Sequence, residues 1–92
     1  MIKSFKGKFA EALFDGKCPK GFPATMAKRA RRKLGVIEAA AALRDLEVPP
    51  GNHLEVLKGD RKGQYSIRVN DQWRICFVWK DGAYDVEIVD YH

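Results

Sequence analysis

The 92-residue sequence has no C-x-x-C pair, no internal repeat, no low-complexity segment and no apolar run long enough to cross a bilayer. Each absence excludes something. Cys18 and Cys76 stand far apart. A zinc site drawn from Cys18, Cys76, His53 and His92 has no ligand-pair spacing behind it and is set aside, and no cofactor is assigned. Two such cysteines are expected to be reduced thiols, one in a loop and one within a strand. The opening Met1-Ile2-Lys3-Ser4-Phe5-Lys6 carries charge too early, and too short an apolar stretch, for an export signal, so the cytoplasm is the expected location, with no membrane partner. The length allows one domain over residues 1–92 and one small core, without room for a large cofactor cleft. With 46% apolar and 32% charged residues, the composition is that of a globular chain and not a disordered one.

Acids are scarce in the first third. Residues 1–35 hold ten Lys/Arg against Glu11 and Asp15, whereas residues 36–92 hold seven Lys/Arg against ten acids, which together give the net +5. A basic region on an otherwise balanced domain is the electrostatic footprint of a polyanion. No amphipathic helix with exposed bulky apolar residues accompanies it, so the charge points to nucleic acid before a membrane surface.

Periodicity gives a coarse map. Residues 2–5 are expected as a short first strand and residues 8–14 as a short helix, followed by a breaker-rich loop, Gly16-Lys17-Cys18-Pro19-Lys20-Gly21. Pro23 suits the first position of a second helix. On a helical wheel Met26, Ala30, Leu34, Ile37 and Ala41 form one apolar stripe; Lys28, Arg31 and Arg32 lie opposite, with Arg29 and Lys33 flanking. This helix is expected to reach about residue 46 and must stop before Pro49-Pro50. Leu43 and Leu46 fall off the stripe, which means either a bend or a second apolar patch for a partner. From Leu54 the pattern becomes alternating: a short strand over 54–57, a turn over 58–63, then two strands whose apolar positions are Tyr65, Ile67, Val69 and Trp73, Ile75, Phe77, Trp79. Asp81-Gly82 signals a hairpin into a last strand that ends at Asp90.

Register carries the functional reading. A two-residue turn at Asn70-Asp71 would pair Ile67 with Arg74 and place arginine among apolar side chains. A three-residue loop, Asn70-Asp71-Gln72, pairs Val69 with Trp73 and Arg68 with Arg74 and collects the apolar set on one face. Because a one-residue slip turns that whole set outward, the core selects the second register, although Gln72 is not the Gly or Asn preferred at the third loop position. Arg68 and Arg74 then become directly opposed on the face away from the core. Like charges so placed repel unless an anion sits between them; the plain alternative is two solvated arginines. If Asp81-Gly82 is a two-residue turn, Val89 falls beside Arg74 and Tyr91 points to the same face, with Asp90 and His92 at the rim.

Two arginines, nearby Lys58 and Arg61, an aromatic ring and an imidazole suit a phosphodiester. RNA brings its own nucleophile, the 2′-hydroxyl, so cleavage requires a base, an acid and cations but no metal. Tyr91 could stack on a splayed base, and an imidazole such as that of His92 can exchange a proton.

Leu57-Lys58-Gly59-Asp60-Arg61, then Ser66-Ile67-Arg68-Val69-Asn70-Asp71-Gln72-Trp73-Arg74-Ile75, and the closing Asp90-Tyr91-His92 together resemble HigB toxins of the RelE-like superfamily. The opening Met1-Ile2-Lys3-Ser4-Phe5 fits too, so the likeness spans essentially the full length. It implies an α+β RelE-like fold, an antiparallel sheet with two N-terminal helices packed on one face. It further implies a ribosome-dependent mRNA endonuclease cutting A-site codons, neutralised by a HigA-type antitoxin with a helix-turn-helix, through which alone operator DNA would be reached. The resemblance ties Asp90, Tyr91, His92 and Arg74 to activity. Some relatives carry a catalytic histidine where Glu55 stands here. His53, two residues earlier, would share its face one pleat away by strand alternation, or is a loop residue, and the general base is left open among Glu55, His53, His92 or another group. Lys28, Arg29, Arg31, Arg32 and Lys33 are expected to grip ribosomal RNA phosphates, salt-dependently and without sequence choice; the bland alternative is a solvated helix face. A competing reading of the whole chain is a non-catalytic RNA- or ribosome-binding module, or a co-repressor acting with an antitoxin.

Overall fold

A computed structural model describes residues 1–90. Two helices, α1 (Ala10–Phe14) and α2 (Ala24–Ala39), precede four strands, β1 (Glu55–Val56), β2 (Tyr65–Arg68), β3 (Trp73–Trp79) and β4 (Ala83–Asp90). The strands form one antiparallel sheet in chain order, β1-β2-β3-β4. The helices supply Ala10, Leu13, Ala30, Leu34 and Ile37 to a core whose other wall is Ile67, Val69, Trp73, Ile75, Phe77, Val86 and Ile88. This is the α+β architecture expected.

The second helix is shorter than its periodicity predicts. It ends at Ala39, Ala40 turns extended (φ −68°, ψ 126°), and a separate 3₁₀ helix covers Leu43–Glu47. The cause is Asp45. Its Oδ2 accepts hydrogen bonds from the Ala41 and Ala42 N–H groups at 2.9 and 3.0 Å, which a continuing helix would have given to backbone carbonyls. Those bonds also hold the Asp45 carboxyl below the usual carboxylate range. The break carries Leu46 fully into the core. Burying a leucine contributes about 1.5–3 kcal/mol, more than the ~1 kcal/mol or less that separates ordinary residues in helix propensity. Leu46 therefore offers no patch to a partner.

The β2–β3 register is the expected one: Ile67 opposite Ile75, Arg68 opposite Arg74, and the Val69 N–H donating to the Trp73 carbonyl at 2.9 Å. Gln72 is tolerated because Asn70 does the turning. Its Oδ1 accepts from the Gln72 and Trp73 N–H groups at 3.0 and 2.7 Å.

At the other end of β3 the expected two-residue turn is not formed. Trp79 pairs with Ala83, leaving a three-residue loop, Lys80-Asp81-Gly82. A bulge then restores the register. Val78 lies opposite Tyr84 but Cys76 opposite Glu87, so β4 carries one extra residue, with Asp85 at φ 53° in the left-handed region. Val89 still falls opposite Arg74, as expected, but by a different route.

The expected first strand is reduced to two isolated parallel bridges, Ile2 with Ala83 and Phe5 with Val86. These lay the N-terminal segment along the free edge of β4. The approach is close: a Cβ on Gly82 would sit 2.6 Å from the Met1 carbonyl oxygen.

Candidate active site on the outer sheet face

Alternation along paired strands puts Glu55, Ser66, Arg68, Arg74, Cys76, Glu87 and Val89 on the face away from the helices. At the hairpin end of this face lies an open cleft of about 270 Å³, lined by His53, Glu55, Arg68, Asn70, Asp71 and Arg74.

Arg74 dominates it. Only 9% exposed, it donates from Nε to Ser66 Oγ at 2.8 Å and from Nη2 to the His53 carbonyl at 2.6 Å; Glu55 Oε1 lies 3.3 Å from the same nitrogen. Arg68 goes the other way, folding toward the loop to pair with Asp71. The repulsion between two opposed arginines is thus relieved by divergence. One guanidinium crosses diagonally toward β1, the other bends along its own hairpin, and each takes a carboxylate. Neither is simply solvated.

Other expected site residues lie elsewhere. Arg61 Nη1 is held by Gln64 Oε1 at 3.1 Å and Glu87 Oε1 at 3.2 Å, outside the cleft. Behind that pair the Cys76 thiol is pushed up in pKa by burial. Lys58 is exposed just ahead of the 3₁₀ turn Gly59–Arg61. Asp90 pairs with Trp73 and so shares the face of Trp73, not of Arg74; its Oδ2 accepts from Gln72 Nε2 at 3.0 Å at the hairpin tip. Tyr91 and His92 lie outside the described residues.

The five cations of α2 do not act as one strip. Lys28, Arg29, Arg31 and Arg32 are exposed. The Arg31 guanidinium leans toward Gly16, within 3.2 Å of where a Cβ on that residue would stand. Lys33 is half-buried, its Nζ 2.5 Å from Asn52 Oδ1, and its pKa is lowered by burial and by neighbouring Arg29 and Arg32. About two turns earlier, Met26 Sδ accepts from Asn70 Nδ2 at 3.6 Å. The side of α2 that carries Met26, Arg29 and Lys33 therefore borders the loops holding Asn70 and His53, two residues of the cleft.

Sequence reasoning missed Ser66, Asn70 and Asp71 as lining or supporting groups. Their signals were present: Ser66 lies on the outward alternation, diagonal to Arg74 across the register, and Asn70 and Asp71 form the loop between the two arginines. His53 reaches the cleft from a loop, at φ 46°, and not through strand alternation.

Residues 3–92 match the model of the HigB-like toxin family, described as the RelE-like toxin of the type II toxin–antitoxin system HigB. The chain belongs to this family. Toxin HigB-1 of Vibrio cholerae is 43% identical over 84 residues, covering 90% of this chain and 88% of that protein. A protein of Proteus vulgaris named Endoribonuclease HigB is 40% identical over 93 residues, covering both chains completely. A HigB-like toxin is by definition one half of a pair, so an antitoxin partner follows. Two of the segments on which the resemblance rests, around Arg74 and Asp90, build the hairpin end of the sheet.

Proposed function

We propose that this HigB-like toxin is an endoribonuclease that cuts mRNA in the ribosomal A site by attack of the RNA's own 2′-hydroxyl. The observation that carries the reading is the outer-face cleft with a nearly buried, multiply held Arg74 at its floor and Glu55 and His53 on its flank. In the reaction a base removes the 2′-hydroxyl proton, the 2′-oxygen bonds to phosphorus, and the 5′-oxygen departs with a proton from an acid. Arg74 and Arg68 offer guanidinium donors to the phosphoryl oxygens as negative charge builds. Glu55 and His53 line the cleft beside Arg74, and both are candidates for the base beside His92. Asp90, Tyr91 and His92 are assigned to the same reaction on the family likeness. The route calls for no metal or other cofactor.

The size of the cleft supports dependence on the ribosome. At about 270 Å³ and open, it falls just below the ~300–1,000 Å³ of typical small-molecule sites. A cleft of that size suits one phosphodiester and its neighbouring groups better than a whole codon. The RNA has to be presented by another surface, and the exposed arginines of α2, with Lys28, Lys58 and Arg61, are suited to 16S rRNA phosphates of the 70S ribosome. A HigA-type helix-turn-helix antitoxin is the expected neutralising partner, with operator DNA reached only through it.

The test is 5′-end mapping of an mRNA incubated with the protein, with and without translating ribosomes. Codon-spaced cuts that need ribosomes are expected. Folded, ribosome-bound protein that leaves the mRNA intact would instead mark a binding module.

A further inference from the structure

Lys33 lies among the exposed cations of α2, but its surroundings give it another task. Its ammonium donates to Asn52 Oδ1. Asn52 is fully buried, and its Nδ2 donates to the Leu46 and Val48 carbonyls, both at 3.2 Å. The amide thus engages both its donors and its acceptor in folding the loop over residues 46–53 onto itself. The next residue, His53, sits in the left-handed region at φ 46°, its N–H donating to the Pro50 carbonyl at 3.1 Å. For a residue with a Cβ that conformation is unfavourable and persists only where neighbours over-determine it. Its result is a carbonyl aimed at Arg74 Nη2, 2.6 Å away.

We propose that Asn52, anchored by Lys33, is a positioning residue for Arg74: the pair holds the His53 carbonyl against the guanidinium and so sets where the fork points in the cleft. This rests on the endoribonuclease reading and deepens it. Without the carbonyl, Ser66 Oγ and the Glu55 carboxylate still hold Arg74, and the fork swings toward Glu55. Such a shift misplaces donors at the reacting phosphoryl group while leaving the RNA-facing surface intact. The effect belongs in kcat, whereas removing a group that grips phosphate acts on KM and on the salt slope.

The experiment compares Asn52→Asp, Lys33→Met and each combined with Arg74→Lys in single-turnover cleavage on ribosomes, with melting temperature as a control. Asn52→Asp keeps the acceptor for Lys33 but removes both amide donors. Lys33→Met leaves those donors in place and serves if the first variant folds poorly. Each is expected to lower kcat by about tenfold, the scale of one hydrogen bond, with KM and salt slope unchanged. Neither should cost anything further beside Arg74→Lys. The idea is overturned if the losses multiply with Arg74→Lys, or if Lys33→Met raises KM and flattens the salt slope at unchanged kcat. ¹⁵N NMR of the Arg74 guanidinium, read on the same proteins, decides without any cleavage. Slow Nη rotation in the parent and fast rotation in Lys33→Met is expected, and identical spectra would refute the linkage. A parent that never cuts would count against the nuclease reading alone.

Discussion

Arg68 and Arg74 face each other across one rung of the sheet, yet they occupy different physical worlds. Arg74 is nearly buried, fixed by a hydroxyl, a carbonyl and a carboxylate from other segments of the chain. Arg68 is about a third exposed and pairs with Asp71, a loop residue almost wholly in solvent. The same residue type in the same register thus yields one preorganised group and one adaptable group. Preorganised donors act where charge develops in a transition state, since they need no reorganisation at that moment. Solvated arginines contribute mainly to attraction and capture.

That contrast is broken most directly at Arg74. Arg74→Ala is expected to lower cleavage by about 10²–10³-fold, the cost typical of removing a preorganised transition-state donor, while ribosome affinity changes little. Lysine should recover little of the loss, because an ammonium cannot reproduce the fork to Ser66 and His53. Full cleavage by either variant, measured by end mapping and single-turnover rates, would take Arg74 out of the mechanism.

Next in size is the outer surface of α2. Neutralising Arg29, Arg31 and Arg32 together is expected to weaken ribosome association and reduce its logarithmic salt slope by roughly 0.7–0.9 for each phosphate no longer neutralised. Because Arg31 leans toward Gly16, away from the side that borders the cleft, it should contribute least. A slope that does not move would leave these residues as a solvated face.

Arg68 sharpens the comparison from the weak side. Arg68→Ala should raise KM by about three- to fivefold, and its effect on melting should be small, since exposed ion pairs contribute about 0–1 kcal/mol. Asp71→Asn should do the reverse at KM, by about twofold, because it frees the Arg68 fork for phosphate. If Arg68→Ala proved as damaging to kcat as Arg74→Ala, the distinction between fixed and adaptable arginines would fail.

Much of this could be read from the chain. The alternation of Tyr65, Ile67, Val69 with Trp73, Ile75, Phe77 admits one register, and that register alone places Arg68 opposite Arg74. The α2 stripe through Ala30, Leu34 and Ile37 is the buried one. What escaped were competitions between distant groups. The end of α2 depends on whether Asp45 captures two N–H groups, a local choice tipped by the burial of Leu46. At the β3–β4 hairpin, Gly82 is demanded by the Met1 carbonyl and not by a two-residue turn, and the residue displaced there is absorbed by the bulge at Asp85.

The sequence by itself determined the α+β pattern, the pairing of the central hairpin and the outward face on which chemistry could sit, because hydrophobic alternation has period two and tolerates no slip. Tertiary structure alone decided which arginine became the fixed one. That choice rests on Ser66, on a left-handed His53 and on an Asn52–Lys33 hydrogen bond between a loop and a helix. Such bonds join residues remote in sequence, and they leave no period to read.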